Sequence, residues 1–472
     1  MKRLTVLALL MLFILPFTGC QYNDQSGMEP ATFSGEGTYE IIDHLSSEEF
    51  EGRRAGTTGN EKAMEYIKEY FSELGLEPGG DDDSYYQWYE QFELEFITPA
   101  TLEIRDSQGN TKHDFENRKD FILSRVALPS TNPRFDQTTF MNHSFEIEAP
   151  IVIADRESLQ KESFFEDSHS LIINPVLNNE AQLLERHRSK ISDLMITVSD
   201  PVSRFSGDLF RIYLKPRISY LNPRAVDEET PGLMYITKDA YEVIESFSDG
   251  DYFLYAKGGI MHRDKEVANV IGRYPSRQKT DKTLLITAHF DHIGVDSTGS
   301  INYGALDNAS GTATMMEIAR VIAENDTQLP FHIEFIAFNG EEDGLRGSFY
   351  YADHMDHEPE DLWVINLDMV GSSMIDYLLI DGSDQVSDET LPEILQDLAN
   401  EANIEYEFKR NSGASDHIPF SLKGSDVILL LDYSVEIFDN YYHNPYDTIE
   451  IIDADRLELI GNLVLSTIER LE

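Results

Sequence analysis

From Ala268 onward the chain alternates between short apolar runs and stretches of helical spacing. Thr283–Thr287, Phe331–Phe338, Trp363–Met369, Tyr377–Ile380 and Val427–Leu431 read as strands. The runs LLIT, HIEFIAF and VILLL within them are almost wholly apolar. That is the texture of strands buried on both faces, not of strands with one face in water. Ser310–Ala323, Leu345–His354, Leu391–Ala402 and Asp453–Glu469 carry apolar residues at helical spacing. Strands alternating with helices predict an α/β fold, a sheet sandwiched by helices.

Upstream the pattern differs. In Asn60–Leu76, Met64, Ile67, Phe71 and Leu74 recur on one helical face, and Gly75 is placed to end it. Gly79–Ser84 (GGDDDS) reads as a solvated loop rather than a calcium site. From about Phe96 to Val267 the chain turns to short β-rich runs: Ala149–Ala154, Ser170–Asn174, Leu194–Val198. No catalytic cluster stands out there, so the stretch reads as an inserted mostly-β domain.

The start of the chain is of another kind. Lys2 and Arg3 precede an almost unbroken apolar run, Leu4–Phe17, too short to span a bilayer comfortably. It ends in Phe-Thr-Gly-Cys20, which resembles a bacterial lipobox, although Phe17 departs from the usual leucine. That resemblance implies a lipidated Cys20 and an exported lipoprotein of the cell envelope, touching the membrane only through its N-terminal anchor. Cys20 is the one cysteine, so no intrachain disulfide is available. The expected organisation is a signal peptide over 1–19, a flexible tether over 20–37 and a first part of the α/β domain over 38–95. The insert over 96–267 and the main α/β part over 268–472 follow.

Charge narrows the choice of partners. Asp and Glu total 86 against 37 Lys and Arg, a net charge of −49. Such a surface repels nucleic acid, so no nucleic-acid partner is expected.

Ligands of open α/β sheets bind beyond the carboxyl ends of strands, so the polar residues after each strand are the ones to weigh. They are His289-Phe-Asp291-His292, Asp307-Asn308-Ala-Ser310-Gly311, Asn339-Gly-Glu341-Glu342, Asn366-Leu-Asp368 and Tyr442-His443-Asn-Pro445-Tyr-Asp447. Any one is commonplace; five in one α/β segment are not. Nitrogen and carboxylate donors without cysteine suit Zn²⁺ in a hydrolytic site. Two histidines and three carboxylates can hold two ions if one carboxylate bridges. Adjacent Glu341 and Glu342 cannot point the same way, so one can bind metal while the other moves protons. No Gly-x-Ser-x-Gly elbow for a serine nucleophile is found.

In order, HFDH, GALDNASG, FNGEE, NLDMVG, SDH and YHNPYDT resemble the signature of the two-zinc metallopeptidase family 28. The likeness runs through about Asn269–Asp453, and Glu48–Ile67 is similar to the family's N-terminal region. Leu306 departs from the acid often found before the bridging Asp. The resemblance implies a zinc exopeptidase fold, a phosphorylase/hydrolase-like mixed sheet between helices, with two Zn²⁺ and peptide substrates. It implies His289 and Asp368 on one zinc, Glu342 and His443 on the other, and Asp307 bridging. Asp291 would orient His289, Glu341 would be general base and then acid, and Tyr442 would stand near the developing oxyanion. A cis peptide at Asp307–Asn308 is implied as well. His292, Asp416 and His417 are expected in the surrounding wall, and His332, His354 and His357 in structural or exposed places. The insert's Ala149–Glu157 (APIVIADRE) and Pro231–Thr237 are similar to a protease-associated domain. Aminopeptidase action is the first expectation. Glutaminyl cyclisation and carboxypeptidase action, the latter with Arg346 or Arg410 as carboxylate binders, come second, and a non-catalytic binding protein third.

Overall fold

The computed structural model describes residues 30–96, 100–117, 119–124, 143–153, 169–174, 191–198, 232–295, 300–383, 385, 390–410 and 415–471. Cys20 and the expected signal peptide lie outside them. Among the described residues no helix is long and apolar enough to cross a membrane.

The strand Thr283–His289 sits in the middle of the larger sheet. It pairs in parallel with His332–Phe338 on one side and Leu362–Leu367 on the other. Asp426–Tyr433 continues in parallel beyond Leu362–Leu367. Tyr377–Gly382 then runs antiparallel to it and carries Tyr406–Arg410 at the edge. The sheet is therefore mixed, with parallel strands at its centre. Side chains alternate between its faces as a pleat requires. Leu284, Ile286 and Ala288 join one buried cluster with Phe335, Met316 and Val464, whereas Leu285 joins a second with Ile336, Tyr351 and Phe420. The helices Gly311–Glu324, Ala454–Arg470, Gly35–Leu45 and Thr58–Glu73 supply the first cluster, and Arg346–His354 and Ile418–Lys423 the second. The sheet is sandwiched as the apolar runs predict.

The last residues of the stretch expected as a flexible tether, 20–37, are part of the fold; residues 20–29 lie outside the described residues. Ser34 caps the helix Gly35–Leu45 by accepting from the amide of Gly37. The Ser34 amide donates to Glu317, and the Ala31 amide to Asn325. Both partners lie on or beside the helix Gly311–Glu324, so the chain is docked from residue 31. The polar composition that suggested a tether is the composition of a helix cap.

The boundary expected between Val267 and Ala268 falls inside one strand, Tyr252–Tyr274. Its first part pairs with Thr101–Asp106 and His143–Pro150, its middle with Tyr86–Phe96, and its end with His332–Phe338. A single rail thus joins the insert to the central parallel strands. The insert has a second sheet of Phe121–Ser124, Gly232–Ile236, Ile191–Val198 and His169–Asn174. Phe121, Ile173, Ile196 and Met234 of that sheet share a core with Leu102, Ile104 and Ile147 of the rail's neighbours and with Leu254 of the rail itself. The helix Lys238–Ser246 closes it through Ala240 and Ile244.

Arg53 ties the N-terminal part to the site. Its side chain is fully buried and donates to the main-chain carbonyls of Leu45, Phe290, Tyr303 and Gly304. A buried guanidinium is tolerable only because four of its five N–H groups are spent this way. Arg53→Met should therefore destabilise the fold by about 3–5 kcal/mol in urea unfolding, because it strands several buried carbonyls at once. A loss below about 1 kcal/mol would show that Arg53 is not the clamp.

Candidate metal centre

The parallel strands end level with one another. His289 is in register with Phe338, and Thr287 with both Ile336 and Asn366. His289, the Asn339–Glu342 turn and Asp368 consequently emerge at one edge of the sheet. Gly340 at φ +71° lets that turn reverse sharply. Asp307 comes from the segment before the helix Gly311–Glu324, and its peptide bond to Asn308 is cis. His443 follows the Asp426–Tyr433 strand and a short helix, with φ +53°, a value a non-glycine residue adopts only where its surroundings fix it.

These side chains form two clusters that share Asp307. His289 Nε2 lies 3.5 Å from Asp307 Oδ1 and 3.4 Å from Asp368 Oδ1. His443 Nε2 lies 3.2 Å from Asp307 Oδ2 and 2.9 Å from Glu342 Oε1. Each oxygen of Asp307 thus faces a different histidine–carboxylate pair. Zinc bonds of 2.0–2.2 Å in a tetrahedron place neighbouring donors about 3.4 Å apart, and these spacings straddle that value. The donors are otherwise idle: Asp307 Oδ2, Glu342 Oε1 and Asp368 Oδ1 are buried with no hydrogen-bond partner among the described residues. Buried anionic oxygens without donors are costly, and a cation between them removes the cost. The donor set fits two zinc ions.

Glu341 stands slightly apart. Its Oε2 is 4.0 Å from His289 Nε2, farther than either Asp307 or Asp368, and its side chain is 15 % exposed against 4 % and 9 % for those two. It is the acid of the first cluster most open to an incoming molecule. Burial, with Glu342, Asp416 and Asp368 as neighbouring anions, pushes its carboxyl well above the usual range. Burial also disfavours ionised Glu342, but His443 and His292 outweigh it and hold that carboxyl well below the usual range. Adjacent glutamates are thereby driven apart, one toward holding a proton and one toward staying charged.

Residues 269–468 match the model of peptidase family M28. Aminopeptidase YwaD of Bacillus subtilis (strain 168) is 33 % identical over 207 residues, which cover 42 % of this chain and 44 % of that protein. Leupeptin-inactivating enzyme 1 of Streptomyces exfoliatus is 29 % identical over 208 residues, 40 % of this chain and 45 % of its own. The chain spans less than half the length of these curated relatives. Among solved structures, an aminopeptidase from Aneurinibacillus sp. strain AM-1 superposes with a TM-score of 0.63 at 20 % identity, over 93 % of this chain and 94 % of that one. BSAP, a zinc aminopeptidase from Bacillus subtilis, superposes at 0.61 and 21 %, over 94 % and 96 %. The fold is the one those structures share.

Around this donor set lies a supporting layer, only part of which the motifs indicated. His289 Nδ1 is 3.1 Å from the main-chain carbonyl of Asp291, which fixes the tautomer that turns Nε2 to the cluster. The Asp291 carboxylate, expected to do this, lies 3.8 Å from Nδ1 and instead accepts from the amides of Glu341 and Glu342. It therefore sets the turn that carries both glutamates, and burial pushes it up to about 8 despite the opposing pull of His289. Asp447, quoted in the last motif without a role, accepts from the amides of Leu306 and Asp307 and so places the bridging residue. Tyr442 stacks on His443, ring centroids 3.8 Å apart and 19° from parallel, and fixes the imidazole plane. Ser415, next to the expected wall residues Asp416 and His417, donates to Asp368 Oδ2 at 2.7 Å and accepts from Asn366, which accepts from Thr287. Asp416 and His417 are both fully buried. Arg410 lies over the Phe408 ring at the sheet edge, and His332 accepts from the Ser276 amide, away from the clusters. Ser415 and Arg53 carried no signal beyond their place inside motif segments.

Ser415→Ala should lower the zinc affinity of the cluster that contains Asp368 by about 10- to 100-fold, because Asp368 loses the hydroxyl that aims it. Chelator competition measures this, and equal affinity in both proteins would remove Ser415 from the support.

Proposed function

We propose that the protein is a two-zinc aminopeptidase that removes residues from the free amino end of peptides. The single observation that carries this is the pair of histidine–carboxylate clusters sharing Asp307, with Glu341 beside them and more exposed. The M28 match over the same residues and the aminopeptidase names of its relatives support the choice of reaction. His289 and Asp368 would hold one zinc, Glu342 and His443 the other, and Asp307 both. Bound there, the ions would lower the pKa of a water and polarise the scissile carbonyl. Glu341 takes the proton from that water, and its raised proton affinity suits it to return the proton to the leaving amine. Tyr442, half-buried beside His443, would donate toward the developing oxyanion. Asp291 and Asp447 keep the catalytic turn and the bridging residue in place.

The insert is read as a protease-associated-like domain that shapes access to the site. Its support is its position in the chain and the rail that joins it to the Glu341 turn. Tyr89 on the rail's partner strand donates to the Asn339 carbonyl, and Gln91 donates to Asp343. Export as a lipoprotein anchored through Cys20 stands on the lipobox-like start alone.

Purified protein with zinc should release only the first residue, stepwise, from unblocked peptides and leave N-acetylated copies intact, as mass spectrometry of the products will show. Release from the carboxyl end, or cyclised glutaminyl ends, would replace the aminopeptidase reading. Glu341→Gln should keep its zinc and lose about 10²–10⁴-fold in turnover. Turnover near the parent's would remove Glu341 from the proton transfers.

A further inference from the structure

The second cluster has one imidazole more than the signature accounts for. His292, two residues beyond Phe290 in the same loop, is fully buried. Its Nδ1 lies 3.0 Å from Glu342 Oε1 and 3.7 Å from Asp307 Oδ2. These are the same two oxygens that His443 Nε2 approaches. Although close, His292 is not hydrogen-bonded to them: neither of its ring nitrogens has a partner among the described residues, nor do Glu342 Oε1 and Asp307 Oδ2. The approach is close, but the atoms are not aligned as donor and acceptor. His292, Asp307 and Glu342 each offer one donor atom within 4.8 Å of the others.

The ring has been given no freedom to turn away. Gly304, at φ +61°, lies flat against it, and a Cβ there would come within 2.5 Å of the imidazole carbon. Arg53 holds that wall from behind through the carbonyl of Gly304, and its own carbonyl is 3.4 Å from the His292 amide. A residue that only filled this space would be better as an apolar ring, without two unpaired nitrogens to bury. The spacing of the two imidazoles is also apt. Rings bound through nitrogen at 2.0–2.1 Å to one ion have centroids about 5–6.5 Å apart, and those of His292 and His443 are 5.8 Å apart.

We propose that His292 is a protein ligand of the second ion, which is then held by two imidazoles with Asp307 and Glu342, while the first ion has one imidazole, His289. The proposal rests on the two-zinc reading above. It makes the two sites unequal: the second is the more fully enclosed by protein, and the first keeps more room for water and substrate.

The test is zinc-edge X-ray absorption on protein carrying two zincs, paired with chelator competition. Three imidazoles shared by two zincs are expected in the parent protein, and two in His292→Ala. One zinc of that variant should bind more than about 100-fold more weakly while the other is unchanged. Two imidazoles in the parent protein would overturn the proposal without any variant being made, and leave the two-zinc reading standing. So would His292→Ala with both affinities intact. A parent protein that takes up no zinc would overturn both. Should the alanine variant not fold, His292→Gln supplies the same comparison.

Discussion

The constraint on which the rest depends is the crowding of buried Asp307, Asp368 and Asp291 with half-buried Glu341 and Glu342 within a few ångströms of one another. Such a group of acids repels itself, and burial removes the water that would screen it. The protein answers part of the charge with hydrogen bonds. Asp291 takes two amides, Asp368 takes a hydroxyl, and Arg53 lies close enough for its positive charge to be felt by Asp307 and Asp291. What remains is carried by oxygens with no donor, each facing a histidine nitrogen. That remainder is what two divalent cations would neutralise, so binding, charge compensation and catalytic competence come from one arrangement.

The scaffold makes the arrangement possible by ending parallel strands at the same level. Thr283–His289, His332–Phe338 and Leu362–Leu367 deliver a histidine, a pair of glutamates and an aspartate to one edge. Their apolar interiors lock the register, because a slip by one residue would exchange the two buried faces of each strand. The bridging Asp307 and His443 come from loops, and loops need to be pinned. Asp447 pins the first through two amides, and Tyr442 stacks on the second. Arg53 reaches in from a distant part of the chain to hold the loop between Phe290 and Gly304. The long strand Tyr252–Tyr274 then couples this region to the insert, since Tyr89 and Gln91 on its partner strand touch the turn bearing Glu341.

The catalytic sheet was legible because its strands are buried on both faces and so carry an unbroken apolar run that polar residues close off. Thr283–Thr287 and Val427–Leu431 needed only small extensions, to His289 and to Tyr433. The rail was not legible: residues 252–274 mix Gly, Lys, Arg and Glu with apolar residues, since different stretches meet different partners, and the expected boundary cuts it. The helix Gly35–Leu45 was hidden for the opposite reason, its start being glycine and serine. The metal-type side chains were legible because carboxylates and histidines after apolar strands are conspicuous. Their second layer was not. Spacing cannot show that Asp291 reaches the glutamate turn with its carboxylate and His289 with its carbonyl. Nor can it show that His292 turns inward beside Glu342.

The most direct test of the central claim is anomalous diffraction at the zinc edge from crystals grown with zinc. Two peaks roughly 3.5–4 Å apart are expected, one on each side of the Asp307 carboxylate, the first against His289 and Asp368 and the second against Glu342 and His443. A single peak, or peaks away from Asp307, would contradict it.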